Sequence, residues 1–276
     1  MGHVGRNHGT AVLGELAAEQ NNYGFTGIAP FARIGVCTWI RMSQVAGAID
    51  EAASHLNPGD VLLIEVHLPG PQSAALWDSS SQFGYLPVEA FPDIAEVIRA
   101  AVAKGVVVVE AACNGQMDLD LLAYASRIVD TGAIMVGAAD PGGLVPSSFT
   151  NSGSRVDLFA WAGSVSTLGF GDVAVAGDDQ NQWYTMSFSG TSAASPIVAG
   201  AAALVNSTRK AAGLPVLNSR QMRDLLRRTG TPAGGDGSRQ IGTMPNLRAA
   251  LVAAGCNHRN RRHPPGGCSR RWHRCR

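Results

Sequence analysis

The chain has 276 residues, of which 45% are hydrophobic and 16% are charged. It is long enough to bury a substantial core, and too apolar and too weakly charged to be disordered. No apolar run reaches the ~18 residues of a membrane-spanning helix, and the opening segment has no apolar stretch of the kind found in signal peptides. We therefore expect no membrane protein and no signal peptide within this chain.

The net charge of +1 hides an uneven distribution. Residues 256–276 hold seven arginines and no acid, so residues 1–255 are mildly acidic and offer no basic face for nucleic acid. The sequence therefore predicts one domain over 1–255 and a basic tail over 256–276, rich in Arg, His, Cys and Pro. The Cys and His spacings of the tail match no zinc site. An arm that binds phosphate is an alternative, but the tail has no apolar periodicity, and we interpret it as disordered or as a spurious extension.

Apolar strands alternate with helices through the first half of the chain. We predict strands over 32–40, 61–66, 106–112 and 133–139, helices over 44–56 and 91–104, and a Pro/Gly/Ser-rich loop over 68–90. Near-continuous apolar runs of this length are typical of strands that are buried on both faces of a parallel sheet. The second half predicts short strands over 144–184 and helices over 192–210, 219–228 and 246–254, with Ser219 as an N-cap.

Three polar motifs fall at positions where such a fold places chemistry. Ser192 lies in the segment SGTSAASP at the start of a long predicted helix, where unpaired N–H groups favour developing negative charge. His8 precedes a glycine at the entrance to another predicted helix, and a histidine can act as a general base near neutral pH. Asn114 follows a buried strand, at the sheet edge where ligands bind in open parallel sheets. Each motif alone is also compatible with a structural role, and a lone histidine more often has one.

Taken together and in this order, His8, Asn114 and Ser192 resemble the subtilisin-like serine peptidases. The resemblance extends from about residue 7 to residue 254 and includes HGTAVLGELAA, VVVVEAACNG, SFSGTSAASPIVAGAAAL and IGTMPNLRAAL. It implies a three-layer α/β fold, with a mostly parallel central sheet flanked by helices. It also implies hydrolysis of peptide bonds through an acyl-enzyme, with Ser192 as nucleophile, His8 as general base and Asn114 in the oxyanion hole. An α/β-hydrolase is excluded, because Ala194 replaces the second glycine of its elbow and His8 precedes Ser192.

The sequence departs from this family at its beginning. The triad order is Asp, His, Ser, yet no acid precedes His8. We expect the strand that carries the aspartate to be missing, the activity of this chain to be correspondingly reduced, and its stability to be poor. The downstream acids Asp50, Asp118 and Asp120 look like ordinary surface carboxylates and are weak candidates for a replacement.

The remaining expectations follow from the resemblance. His67, Leu68, Pro69 and Gly70 correspond to an edge where an extended peptide adds as a strand, although Pro69 has no N–H to donate and the register is open by one residue. Cys113 stands where the family has glycine, and we interpret it as a buried thiol. No cofactor is required and no metal ligand is assigned, although family members allow a structural calcium. We expect a monomer that acts on polypeptides outside the cell. The alternative is an inactive relative, or a gene fragment, that serves as a binding protein.

Overall fold

The structure, a computed structural model, describes residues 3–39, 41–73, 81–173 and 179–256. The helices in these residues are α1 (His3–Ala17), α2 (Val45–Ser54), α3 (Pro92–Ala103), α4 (Leu122–Ala125), α5 (Thr191–Ala211), α6 (Ser219–Thr229) and α7 (Leu247–Ala253). The strands are β1 (Val61–Ile64), β2 (His67–Pro69), β3 (Tyr85–Pro87), β4 (Val107–Ala111), β5 (Ile134–Asp140), β6 (Val145–Pro146), β7 (Leu158–Trp161), β8 (Val165–Leu168), β9 (Tyr184–Phe188), β10 (Thr231–Pro232) and β11 (Thr243–Met244).

The central sheet has the strand order β1-β4-β5-β7-β11-β10, with β6 beside β5. The strands from β1 to β11 along this order are parallel, while β10 and β6 pair antiparallel with their neighbours. The residues of β4 and nearly all of those of β5 are buried, as continuous apolar runs predict for strands covered on both faces. The predicted α/β class with a mostly parallel sheet is confirmed.

Helices cover both faces of the sheet. On one face α5, α6 and α7 pack against side chains such as Val107, Val109 and Val136. On the other face α2 and α3 pack against Leu62, Ile64 and Val108. Alternate residues of one strand thus serve two cores, which makes this a three-layer arrangement. None of the helices in the described part of the chain is long and apolar enough to cross a membrane.

The predicted strand over 32–40 is wrong for the residues that are described. Residues 32–39 contain no strand, and all of them except the half-buried Trp39 are exposed. β1 is the edge strand on one side of the sheet, and no other described strand pairs with its outer edge. Because a strand needs a neighbour to pair its N–H and C=O groups, apolar composition alone does not order this segment.

Two local predictions also need correction. The predicted loop over 68–90 contains β2 and β3, which pair antiparallel with Leu68 opposite the equally buried Leu86; residues 74–80 of that loop lie outside the described residues. The N-cap of α6 is Asn218, whose side chain accepts from the Gln221 N–H in a capping box. Ser219 is buried and donates to the Gly132 carbonyl at 2.8 Å instead. The basic tail lies outside the described residues, apart from a half-buried Cys256.

Arg155 is a largely buried arginine that lies close to several buried acids. The Arg155 guanidinium lies 2.6 Å from Glu89, 2.6 Å from Asp157 and 3.8 Å from Glu110. Burial alone would lower the pKa of Arg155, but these carboxylates outweigh it and raise that pKa. Burial also raises the pKa of Glu110 well above its usual range, so Arg155 balances mainly Glu89 and Asp157.

Replacing Arg155 with methionine keeps much of the stem but removes the cation beside the buried Glu89, while Asp157 retains Arg223 at 3.8 Å and Arg227 at 3.5 Å. We expect Arg155→Met to lower the free energy of unfolding by about 3–5 kcal/mol, the cost of breaking a buried ion pair from one side. Urea unfolding followed by circular dichroism measures this change. Arg228→Met on the exposed side of α6 is the matched control and should shift the midpoint little. Equal effects of the two variants would contradict the assignment.

Candidate active site

A cavity of about 710 Å³ opens at the carboxyl ends of β1 and β4 and at the N-terminus of α5. Its lining includes His8, Asn114 and Ser192, three residues that are far apart in the sequence. The parallel pairing of β1 with β4 places the carboxyl ends of these strands side by side. α1 and α5 pack against each other, which brings His8 to the same cleft. The structure therefore brings together all the residues predicted to be catalytic.

Ser192 is the second residue of α5, directly after a sharp turn at Gly190. Gly190 has φ +94°, a conformation that residues with a side chain rarely adopt. A Cβ added at Gly190 would also lie only 3.1 Å from Asn114 Nδ2. Glycine is therefore required here for both conformation and space, and it lets the start of α5 approach Asn114 closely.

The Asn114 side chain is held in one orientation. Its Oδ1 accepts from the Thr191 backbone N–H at 2.9 Å and from the Thr191 hydroxyl at 3.0 Å. With Oδ1 engaged in this way, the Nδ2 group is the donor that faces the cleft. It donates to the side-chain oxygen of Gln82 at 2.7 Å, so Gln82 occupies the position in which a developing oxyanion could bind Asn114.

Cys113, the residue before Asn114, has a structural role. It is fully buried, and its φ of +77° is unusual for a residue other than glycine. Burial raises the pKa of its thiol well above the usual range, and the nearby Glu110 and Glu65 raise it further. A thiol that stays protonated is a poor nucleophile, in agreement with the prediction of a buried, inert cysteine.

His8 lies within α1 and not at its entrance, because the helix already begins at His3. Its ring packs edge-on against Phe188, with the ring centres 5.7 Å apart. Phe188 ends β9 just before the turn into α5, so the contact fixes the imidazole relative to the serine helix. Burial lowers the pKa of His8 below 6.5, which keeps the imidazole neutral and able to accept a proton at neutral pH.

The predicted peptide-binding edge is divided between the cleft and the core. His67 and Pro69 line the cavity, whereas the Leu68 side chain is buried in the core and Gly70 donates its N–H to the Gly84 carbonyl at 3.0 Å. The His67 ring stacks on Tyr85 with centres 4.5 Å apart. Burial, together with the nearby His8, lowers the pKa of His67 to about 4, so His67 is a neutral hydrogen-bonding group in this cleft.

Sequence reasoning missed two residues that line the cavity, Glu65 and Gln82, and the buried Glu15 near Glu65. Glu65 lines the cavity directly after β1, and Glu15 is buried on α1 with both carboxyl oxygens unpartnered. The detectable signal was an acid within an apolar run, in VLLIEV and in AVLGELAA. Asp50, Asp118 and Asp120 are exposed, and no aspartate of the described residues lines this cavity.

The described side chains do not form a group that could bind a metal ion. Within residues 3–39, 41–73, 81–173 and 179–256, no three His, Cys, Asp or Glu side chains lie together in a way that could hold an ion. These residues do not fit a calcium site built from side chains, and no step of the chemistry below passes through a metal.

A serine at a helix N-terminus, a histidine and a fixed amide donor in one cleft form the residue set of a serine hydrolase with an oxyanion hole. A family model described as the subtilase family matches residues 3–243. The chain belongs to the subtilase family, which confirms the resemblance drawn from the sequence motifs.

Individual relatives agree with this membership. The chain is 30% identical over 243 residues to a calcium-dependent protease of Nostoc sp., covering 81% of this chain and 35% of the relative. It is 30% identical over 239 residues to subtilisin E of Bacillus subtilis, covering 83% of this chain and 52% of the relative. The chain thus spans between a third and about half the length of these curated relatives.

Solved structures share the fold. The self-cleaved protease domain of PatA aligns with a TM-score of 0.66 at 21% identity, covering 90% of this chain and 83% of that one. A protease from Pseudoalteromonas arctica aligns with a TM-score of 0.63 at 23% identity, covering 90% of this chain and 70% of that one.

Removing the Gln82 side chain should free the Asn114 amide. We expect Gln82→Ala to raise the second-order rate constant for labelling of Ser192 by a fluorophosphonate about fivefold, the equivalent of one neutral hydrogen bond of ~1 kcal/mol that no longer has to be displaced. Gln116→Ala is the matched control, since Gln116 is an exposed glutamine that lines the same cavity. Slower labelling of Gln82→Ala would mean that Gln82 positions Asn114 and does not compete with the substrate.

Proposed function

We propose that this chain is a serine endopeptidase that hydrolyses polypeptides through an acyl-enzyme. The observation that carries the proposal is the single cleft lined by His8, Asn114 and Ser192. In this cleft, Asn114 Oδ1 accepts from the Thr191 N–H, and Asn114 Nδ2 faces the cleft as a donor. Membership of the subtilase family supports the same chemistry.

In the proposed reaction, Ser192 Oγ attacks the carbonyl carbon of the substrate while the neutral His8 imidazole takes the hydroxyl proton. The carbonyl oxygen becomes an oxyanion, which accepts hydrogen bonds from Asn114 Nδ2 and from the Ser192 backbone N–H. His8 then gives its proton to the leaving amine, and the peptide bond breaks to leave an ester on Ser192. A water molecule, deprotonated by His8, hydrolyses that ester and restores the site.

The proposed substrate is an extended polypeptide. β2 uses one edge to pair with β3, and its opposite edge, with His67 and Pro69 at the cavity, would add the peptide as a further strand. Pro69 offers a carbonyl but no N–H on this edge, so the peptide would lack one contact at that position. Gly70 donates its N–H to the Gly84 carbonyl, so Gly70 and Leu68, two residues earlier, face β3, and the contacts with the peptide would come from His67 and Pro69. A monomeric state and an extracellular location remain proposals that rest on family resemblance.

Ser192→Ala should abolish fluorophosphonate labelling and peptide cleavage, because no other side chain in the proposed mechanism forms the acyl-enzyme. Asn114→Ala should retain labelling but lower the rate about 10²–10³-fold, the usual effect of losing one oxyanion donor. Ser207→Ala, at an exposed position of the same helix, is the control and should behave like the unaltered chain. Absence of label on the unaltered, folded chain would favour the alternative of an inactive binding protein.

The pH profile of the acylation rate tests His8 as the base. Because burial lowers the pKa of His8, the neutral imidazole persists below pH 6.5 and the acid limb should have its midpoint under that value. Labelling rates across this range measure the midpoint. The control is His55→Gln, at the exposed C-cap of α2 and outside the cavity lining, which should leave the midpoint unchanged. A midpoint above 6.5 would mean that a carboxylate faces His8 in the resting site.

A further inference from the structure

Glu65 is an acid in the cleft with no assigned role. It follows β1 directly, and its Oε1 lies 2.6 Å from the Ser195 hydroxyl, one turn along α5 from Ser192. Its other carboxyl oxygen, Oε2, is enclosed and has no hydrogen-bond partner among the described residues. Glu65 lines the same cavity as His8 and Ser192.

Counting protons around Ser195 gives the state of this carboxyl. The Ser195 oxygen is 2.7 Å from the Thr191 carbonyl and 2.6 Å from Glu65 Oε1. A hydroxyl has one proton to donate, and a carbonyl has none. If Ser195 donates to the Thr191 carbonyl, the second short contact requires a proton on Glu65 that is donated to Ser195. The geometry therefore favours Glu65 as a neutral carboxylic acid.

The surroundings of Glu65 support this state. Burial raises the pKa of Glu65 to about 8 and outweighs the nearby Ser195 and Ser192 hydroxyls, which lower that pKa. The titratable groups that face it are Glu15 and His8 from α1, His67 from β2 and Cys113 after β4. No arginine or lysine of the described residues lines the cavity, so no cation compensates a charge on Glu65.

We propose that Glu65 is a positioning residue for Ser192, neutral in the resting cleft and active once it has released its proton to solvent. As a carboxylate, it would accept the hydrogen bond of the Ser195 hydroxyl, which would turn away from the carbonyl of Thr191, the residue before Ser192. The Ser192 proton would stay available to His8. Its negative charge would also stabilise the protonated His8 that forms as Ser192 attacks. Glu65 is the one acid among the described residues that line this cavity. The inference rests on the proposed function.

The test is the labelling rate of Ser192 by a fluorophosphonate, measured on the full chain from about pH 6 to about pH 10. Beyond the His8 limb, the rate should rise a second time with a midpoint near pH 8. The expected gain is about tenfold, the difference between a charge-assisted and a neutral hydrogen bond. Glu65→Gln should keep the rate at the acid end and lose the second rise. Glu19→Gln, an exposed acid, should retain it.

If Glu65→Gln does not fold, a second variant provides the test. Ser195→Ala removes one donor to the carboxylate, so the midpoint of the second rise should move to higher pH. An unchanged profile in either folded variant would overturn the proposal, as would a folded Glu65→Gln that is unlabelled at every pH.

A readout that needs no activity separates the two proposals. Carbon NMR of labelled glutamate carboxyls should show a group that titrates near pH 8 in the full chain and is absent from Glu65→Gln. If that signal is present but Ser192 is never labelled, the peptidase proposal fails while the neutral acid stands. If Ser192 is labelled and the signal is missing, only the role of Glu65 is wrong.

Discussion

The paired hydrogen bonds from Thr191 to Asn114 Oδ1 join the end of β4 to the start of α5. This junction fixes the start of α5 against the sheet and orients the Asn114 amide donor in the same step. Gly190 makes the approach possible, since any Cβ at that position would press against Asn114. An oxyanion hole works by having its donors in place before charge develops, and a junction held from both sides provides that pre-organisation.

A second junction, from Glu65 to Ser195, ties β1 to the same helix. It differs from the first in kind, because Asn114 carries no titratable proton and Glu65 does. The contact of Thr191 with Asn114 is therefore independent of pH, whereas the contact of Ser195 with Glu65 changes when Glu65 loses its proton. The buried core beneath, in which α5 packs against β4 and β5, keeps the two junctions at fixed positions, so a change of protonation at Glu65 would act on Ser192 without moving the sheet.

The sequence predicted what local periodicity controls. The buried strands around 61–66, 106–112 and 133–139 and the long helix after Gly190 are present with small shifts at their ends, because apolar runs and helix signals are carried by neighbouring residues. The strand over 32–40 failed because its formation depends on a partner elsewhere in the chain. The motifs around His8, Asn114 and Ser192 predicted three residues that the structure brings into one cleft. The acid within the run VLLIEV was a local signal for Glu65, but its contact with Ser195 spans 130 positions in the chain, so the sequence did not show which residue it would meet.

Two acids, the buried Glu15 and the half-buried Glu65, make the stability of the fold depend on pH. Burial raises the pKa of Glu15 to about 9 and that of Glu65 to about 8, from 4.5 in an unfolded chain. At neutral pH the unfolded chain carries both as carboxylates, and the folded chain holds them as acids, so folding takes up protons from the solution. By linkage, their contribution to stability is most favourable below pH 4.5 and declines as the pH rises towards 8. Glu65 would therefore gain the charge that assists Ser192 in the same pH range in which the two acids contribute least to stability.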